Sequence, residues 1–287
     1  MISTIVSRFA ENGPTVHITP IEVFTIGSFS ITNSMLYGWI SAFVICVTLI
    51  TVAKMAKVYP RRGLIQLVEA GTDFIVNLVG SSLGSRQKAL KYGPYFATIF
   101  FFVLLNNWLG LLPVVGESIR IGDTPLFRPF TADLNGTLAA AVVTMVLVQT
   151  FAIKESGFVK HVRHYFAGSL KNPATYLFGI FEIFTEFTRV ISLALRLFLN
   201  VVIGEIIISV FAFLGKNASP LTSLPFVILE LVVAGLQAYI FVMLSVTYLS
   251  VAIKHDHDDT HVADEINRSD ESNEGVSITT GKRVKVA

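Results

Sequence analysis

Apolar runs too long and too free of charge for a water-soluble core dominate this sequence and limit what it can fold into. Met35 to Ala53 holds 19 residues without a charged side chain, about what a helix needs to cross ~30 Å of hydrocarbon. Four more runs follow, at Pro94 to Pro113, about Asn135 to Ile153, Tyr176 to Leu214 and Phe226 to Ile253. Tyr176 to Leu214 contains no proline, and at ~1.5 Å per residue its roughly 39 residues make a helix of ~58 Å. One perpendicular crossing cannot use that length, so the helix is strongly tilted or begins outside the hydrocarbon. Composition agrees: of 287 residues 53% are hydrophobic and 15% charged. The expected class is an all-α membrane protein of five hydrophobic spans, the last two being long, tilted helices that form a hairpin.

Between the first two spans, Leu64, Leu67, Val68, Phe74, Ile75, Leu78 and Val79 recur at three- and four-residue steps, while Gln66, Glu69, Asp73 and Asn77 take the other face. This predicts an amphipathic helix lying along the membrane surface. Residues 1–34 read as an extended external tail, 35–254 as the transmembrane domain, and 255–287, with many acidic and few large apolar residues, as a disordered tail. Within it, His255, His257 and His261 alternate with acids, a run read as solvated chain rather than a metal site. Cys46 is the only cysteine, which removes disulfides and cysteine-based metal clusters. No cleavable signal peptide is visible, so the first span is expected to direct insertion.

Orientation follows from basic residues in the loops. The 54–93 connection has seven Lys/Arg and the 153–175 connection four, against two in the 114–134 loop and one in the N-terminal tail. The expectation is an external N-terminus and a cytoplasmic C-terminus. A formal net charge of +2 gives no reason to expect a nucleic-acid partner. There is no phosphate-binding loop, dinucleotide fingerprint or HExxH, so no cofactor and no catalysis by the chain itself is expected.

The charges inside the spans carry the functional signal, because a charge at the bilayer centre costs at least about 2.5 kcal/mol and marks function by default. At about 100° per residue, Glu182, Glu186, Arg189, Arg196 and Asn200 fall on one stripe of the fourth span. Glu186 and Arg189, three apart, can neutralise each other. Arg196 has only Ser192, Leu193, Leu199 and Asn200 at three and four steps, so its counter-charge must come from another helix or another protein. Glu205 lies about 180° around the helix from Arg196. On the last span Glu230 and Gln237 share a face. Glu205, Glu230 and Gln237 on facing helices can hold water and relay protons; the alternative is buried ion pairs that tie helices together. Asn106, Asn107 and Asp133 either line an outer aqueous entrance or, for the asparagines, bond between helices.

NNWLGLLP at 106–113, TADLNGT at 131–137, SLALRLFLNVVIGE at 192–205 and LQAYIFVMLSVTYLS at 236–250 closely resemble subunit a of the rotary F-type ATP synthase, and the similarity covers about residues 15 to 254. The resemblance implies a proton-translocating stator subunit with two offset half-channels. Arg196 matches the family's essential arginine, which faces a carboxylate on a rotating ring of c subunits. Glu205, Glu230 and Gln237 match positions lining the outer half-channel and Glu182 one on the cytoplasmic side, while Asn200, one turn past the arginine, and Asp133 are counted among the half-channel residues. The implied partners are the c-ring, b-type stator subunits and the bilayer. The implied ion is H⁺, with Na⁺ left open because the ring supplies the binding site; the implied location is a bacterial inner membrane. Leu199 departs from the family's glycine, Val190 from its frequent proline, and Glu230 from a histidine found in many bacterial members. The competing reading is a self-contained transporter or channel, against which stands the lack of an inverted repeat.

Overall fold

A computed structural model describes residues 22–26, 29–55, 63–112, 116–121, 124–157, 173–215 and 218–281, with some side chains excepted, among them those of 116–121, 124–127, 173–180, 182 and from Lys254 onward. Among them are six helices, α1 (Asn33–Met55), α2 (Leu64–Leu83), α3 (Arg86–Gly110), α4 (Leu134–Ser156), α5 (Pro173–Gly215) and α6 (Ser219–Gly281). Five are long and apolar enough to cross a membrane, over Asn33–Met55, Arg86–Gly110, Leu134–Glu155, Ile183–Gly215 and Pro220–Ile253. The protein is therefore a helical multi-pass membrane protein, and each of these helices contains the corresponding apolar run except that α3 ends before Pro113.

The second span departs most from the expected bounds. Its apolar run starts at Pro94, yet the helix starts at Arg86, where the Ser85 side chain caps the first turn by accepting from the Lys88 backbone N–H. Pro94 sits inside the helix, removing one backbone donor without ending it. Hydrophobicity marks where lipid begins, and capping marks where the helix begins.

The connections also hold more order than the sequence suggests. Strands β1 (Glu22–Ile26) and β2 (Phe29–Thr32) form an antiparallel pair in the segment expected to be an extended tail. The loop before α4, expected to be irregular, contains a second antiparallel pair, β3 (Gly116–Ile121) and β4 (Thr124–Phe127), and then a 3₁₀ turn at Phe130–Ala132. Residues 1–21 and the basic connection at 158–172 lie outside the described residues.

Contact clustering divides the chain into residues 1–145 with 186–246, and 146–185 with 247–287. The second unit comprises helical segments of α4, α5 and α6, the helical backbone of α6 running on to Gly281 through the polar segment. The side chains of the His255 to His261 run are outside the described residues. Apart from Glu182, the candidate site residues lie in the first unit.

There, α2 and α3 are joined by a two-residue turn in which Gly84, at φ 63°, ends α2 in the left-handed conformation. Ile75 and Val79 of α2 are fully buried, as are Tyr92 and Phe96 of α3. Leu67 and Phe74, expected on the same apolar face as Ile75, point outward. The buried stripe is narrower than the apolar one, and the Phe74 ring instead meets Tyr239 of α6 with centroids 5.6 Å apart. A central cluster joins Phe101, Val103 and Leu104 of α3, Ala141 of α4, Leu193, Ala194 and Leu197 of α5, and Ala238 and Phe241 of α6. Phe211 of α5 stacks on Phe226 of α6 at 3.8 Å, and the Thr222 hydroxyl donates to the Phe211 carbonyl at 3.0 Å. These contacts close the expected α5–α6 hairpin. Its outer surface stays apolar and exposed, as lipid and partner helices require.

Candidate functional site

On α5, Leu193, Ala194, Leu197 and Val201 turn into the protein, while Ser192, Leu195, Leu199 and Ile203 turn outward. Arg196 lies at the edge of the outward stripe, beside Asn200. Among the described residues Arg196 makes no hydrogen bond or ion pair. The pair expected a turn earlier forms: Arg189 Nη1 donates to Glu186 Oε1 at 2.6 Å. Those two residues neutralise each other, and the arginine in the apolar centre has no such relief. Leu199, beside it, is 47% exposed, so the side chain standing where a glycine was expected projects outward, over the surface that any partner of Arg196 would approach.

Glu205 lies on the opposite side of α5, as its nine-residue offset predicts. Its neighbour Gly204 provides the close approach of α6: the carboxylate of Glu230 rests where a β-carbon on Gly204 would stand. A side chain at 204 would displace that carboxylate, so glycine permits Glu230 to sit here. The structure thus brings Glu205 and Glu230 together. Gln237, seven residues along α6 from Glu230, is buried with Nε2 lacking a protein hydrogen-bond partner among the described residues, and the same is true of Nδ2 of Asn200.

The loop before α4 adds a charge not singled out from the sequence. Arg128 is buried, and its Nη2 donates to the carbonyl of Ala132 at 2.9 Å. Ala132 packs against Val201 and Val202 of α5, with Phe198 and Ile206 alongside. Burial pulls the Arg128 guanidinium below its ordinary range, while Glu205 first and Asp133 second act to raise it again. Only the sequence position just before the TADLNGT motif hinted at this residue; a loop charge acquires a partner through tertiary folding alone.

Asp133 has structural work. One carboxylate oxygen accepts from the Ser34 hydroxyl of α1, and the other accepts from the Asn135 N–H at 3.0 Å at the start of α4. The two asparagines of α3 divide the alternatives between them. Asn106 accepts from the Ser41 hydroxyl of α1 at 2.8 Å, an interhelical bond, and donates to the Phe102 carbonyl of its own helix at 2.8 Å. Asn107 is buried with both side-chain polar atoms lacking protein partners among the described residues. Glu182 lies in the α5 backbone range, but its side chain is outside the described residues.

Five apolar spans, an arginine within one of them that has no partner among the described residues, and a carboxylate pair on two facing helices define a multi-pass membrane protein with charge inside its spans. The chain belongs to the ATP synthase A chain family, whose profile matches residues 35–250. Among similar proteins, ATP synthase subunit a 2 of Chlorobaculum tepidum is 33% identical over 92% of this chain and 74% of its own length. ATP synthase subunit a of Moorella thermoacetica is 27% identical over 82% of this chain and 96% of its own, and that of Chlorobium phaeobacteroides 34% identical over 83% and 70%.

Proposed function

We propose that this chain is the proton-translocating stator subunit of an ATP synthase membrane sector and that Arg196 separates two half-channels. It performs no catalysis alone and supplies the ion path of the complex. The single observation that carries the mechanism is Arg196: a guanidinium in an apolar span, at the edge of an outward face, with no partner among the described residues. A buried charge kept without an internal counter-ion needs an external one, and a ring of c subunits carrying one carboxylate each supplies it. Arg196 attracts the ionised carboxylate at close range in a low dielectric and repels a proton attempting to cross directly. Each ion then has to board the ring, ride it and leave on the other side. A potential of 100 mV contributes ~2.3 kcal/mol per charge to that rotation.

Glu205, Glu230, Gln237, Asn200 and Asp133 form the outer half-channel in this reading, and Glu182 serves the cytoplasmic one. The juxtaposed Glu205 and Glu230 carboxylates and the buried, unsatisfied amides of Asn200 and Gln237 support it, since such groups suit a hydrated path. Asp133, which accepts from Ser34, is read as part of the wall of the path. The b-type stator subunits hold the chain against the ring. The N-terminus lies outside and the C-terminus in the cytoplasm, as the basic connections at 54–93 and 153–175 favour, and H⁺ is the ion carried.

Reconstitution separates this from a self-contained transporter. With the c-ring and the remaining subunits, the chain supports ATP-driven acidification of liposomes, and alone it carries no proton or solute flux. Flux through the purified chain alone would favour the transporter.

A further inference from the structure

Glu205 has two charged neighbours, each from a different stretch of chain. Glu230 approaches from α6, its carboxylate seated on Gly204. Arg128 approaches from the loop between α3 and α4, where Asp133 also acts on it. On α5 itself no titratable residue lies within four positions of Glu205. Two carboxylates this close in a low dielectric cannot both ionise without a cation nearby, and Arg128 is the cation present.

Its placement is built. The 3₁₀ turn Phe130–Ala132 seats Ala132 on Val201 and Val202, one turn before Glu205, and the Ala132 carbonyl then receives Arg128 Nη2 at 2.9 Å. The guanidinium is therefore fixed by the same packing that fixes the Glu205 face of α5. Asp133, the other acid near it, already accepts from Ser34 and the Asn135 N–H. Of the two acids that act on Arg128, Glu205 acts the more strongly.

We propose that Arg128 is a positioning residue for Glu205, holding its carboxylate beside Glu230 and setting the pH range over which this pair exchanges protons. The proposal rests on the reading of Glu205 and Glu230 as parts of the outer proton path. It extends the functional site from the spans into a connecting loop, through charge and not through contact with the ring.

The test uses the complete complex in proteoliposomes, with ATP synthesis driven by a fixed potential and followed against the pH on the N-terminal side. Arg128→Gln moves the midpoint of that profile upward by about one unit or more, because a removed cation no longer favours the anion, and Arg128→Lys restores most of the shift. An unchanged midpoint in Arg128→Gln, alongside an altered profile in Glu205→Gln, overturns the proposal. Unchanged profiles in Glu205→Gln and Glu230→Gln as well would instead overturn the proton-path reading beneath it. Should Arg128→Gln fail to assemble, the double variant Arg128→Gln/Glu205→Gln decides: removing both charges leaves no buried ion unpaired, so assembly recovers. Assembly no better than in the single variant contradicts the pairing.

Discussion

The carboxylate of Glu230 on α6 occupies the position that a β-carbon on Gly204 of α5 would take. One residue without a side chain thus permits the approach of two acids, because Glu205 follows Gly204 directly. Gly204→Ala pushes the Glu230 carboxylate away while leaving every charge in place. Displacements of this size cost proton transfer on the order of ten- to a hundredfold. ATP-driven proton pumping by membranes carrying the variant, compared at equal subunit content, checks the loss.

Glu205→Gln and Glu230→Gln keep shape and hydrogen bonding and remove the exchangeable proton. Each is expected to slow proton entry at least tenfold while the complex still co-purifies. Intact assembly with slow pumping supports a transport role. Loss of assembly would mean that the acids serve as structural ion-pair partners.

Two serines of α1 differ in what they leave behind when removed. Ser34→Ala strips a donor from the buried Asp133 carboxylate, and an acid losing a partner costs about 1.5–3 kcal/mol. Ser41→Ala breaks the bond to Asn106, a neutral interhelical bond of the kind worth roughly 0.6 kcal/mol. Thermal stability in detergent should fall clearly for the first variant and scarcely for the second. Equal losses would mean that Asp133 does not depend on Ser34.

Leu199→Gly removes the bulk beside Arg196 on the outward face. If that face meets a partner, the variant alters pumping with little change in the stability of the isolated subunit, since Leu199 is 47% exposed. The cost expected from helix propensity alone is about 1 kcal/mol. Pumping altered at preserved assembly, measured in membrane vesicles, places Leu199 at the partner surface.

Much of the architecture was legible because lipid imposes a length. Nineteen uncharged residues from Met35 to Ala53 leave little choice but a span, and the isolation of Arg196 follows from helical spacing. The start of α3 was not legible, since the apolar run begins at Pro94 whereas Ser85 caps the helix. Nor were the two strand pairs, whose alternating stretches, Phe29 to Thr32 and Ser118 to Ile121, are only four residues long. Spacing placed Glu205 opposite Arg196 and put Glu230 and Gln237 on one face. It could not show that Gly204 admits Glu230, or that a loop arginine would be folded onto α5. Arg128 entered the sequence reading only as a basic residue counted for orientation. Contacts across distant stretches of chain depend on packing, and the local pattern does not record them.

The central claim is that Arg196 is the charge that keeps the two routes apart, and its most direct test is Arg196→Ala in the reconstituted complex. ATP-driven proton pumping is predicted to vanish although the subunits still assemble. Pumping at the rate of the unaltered complex would contradict the account.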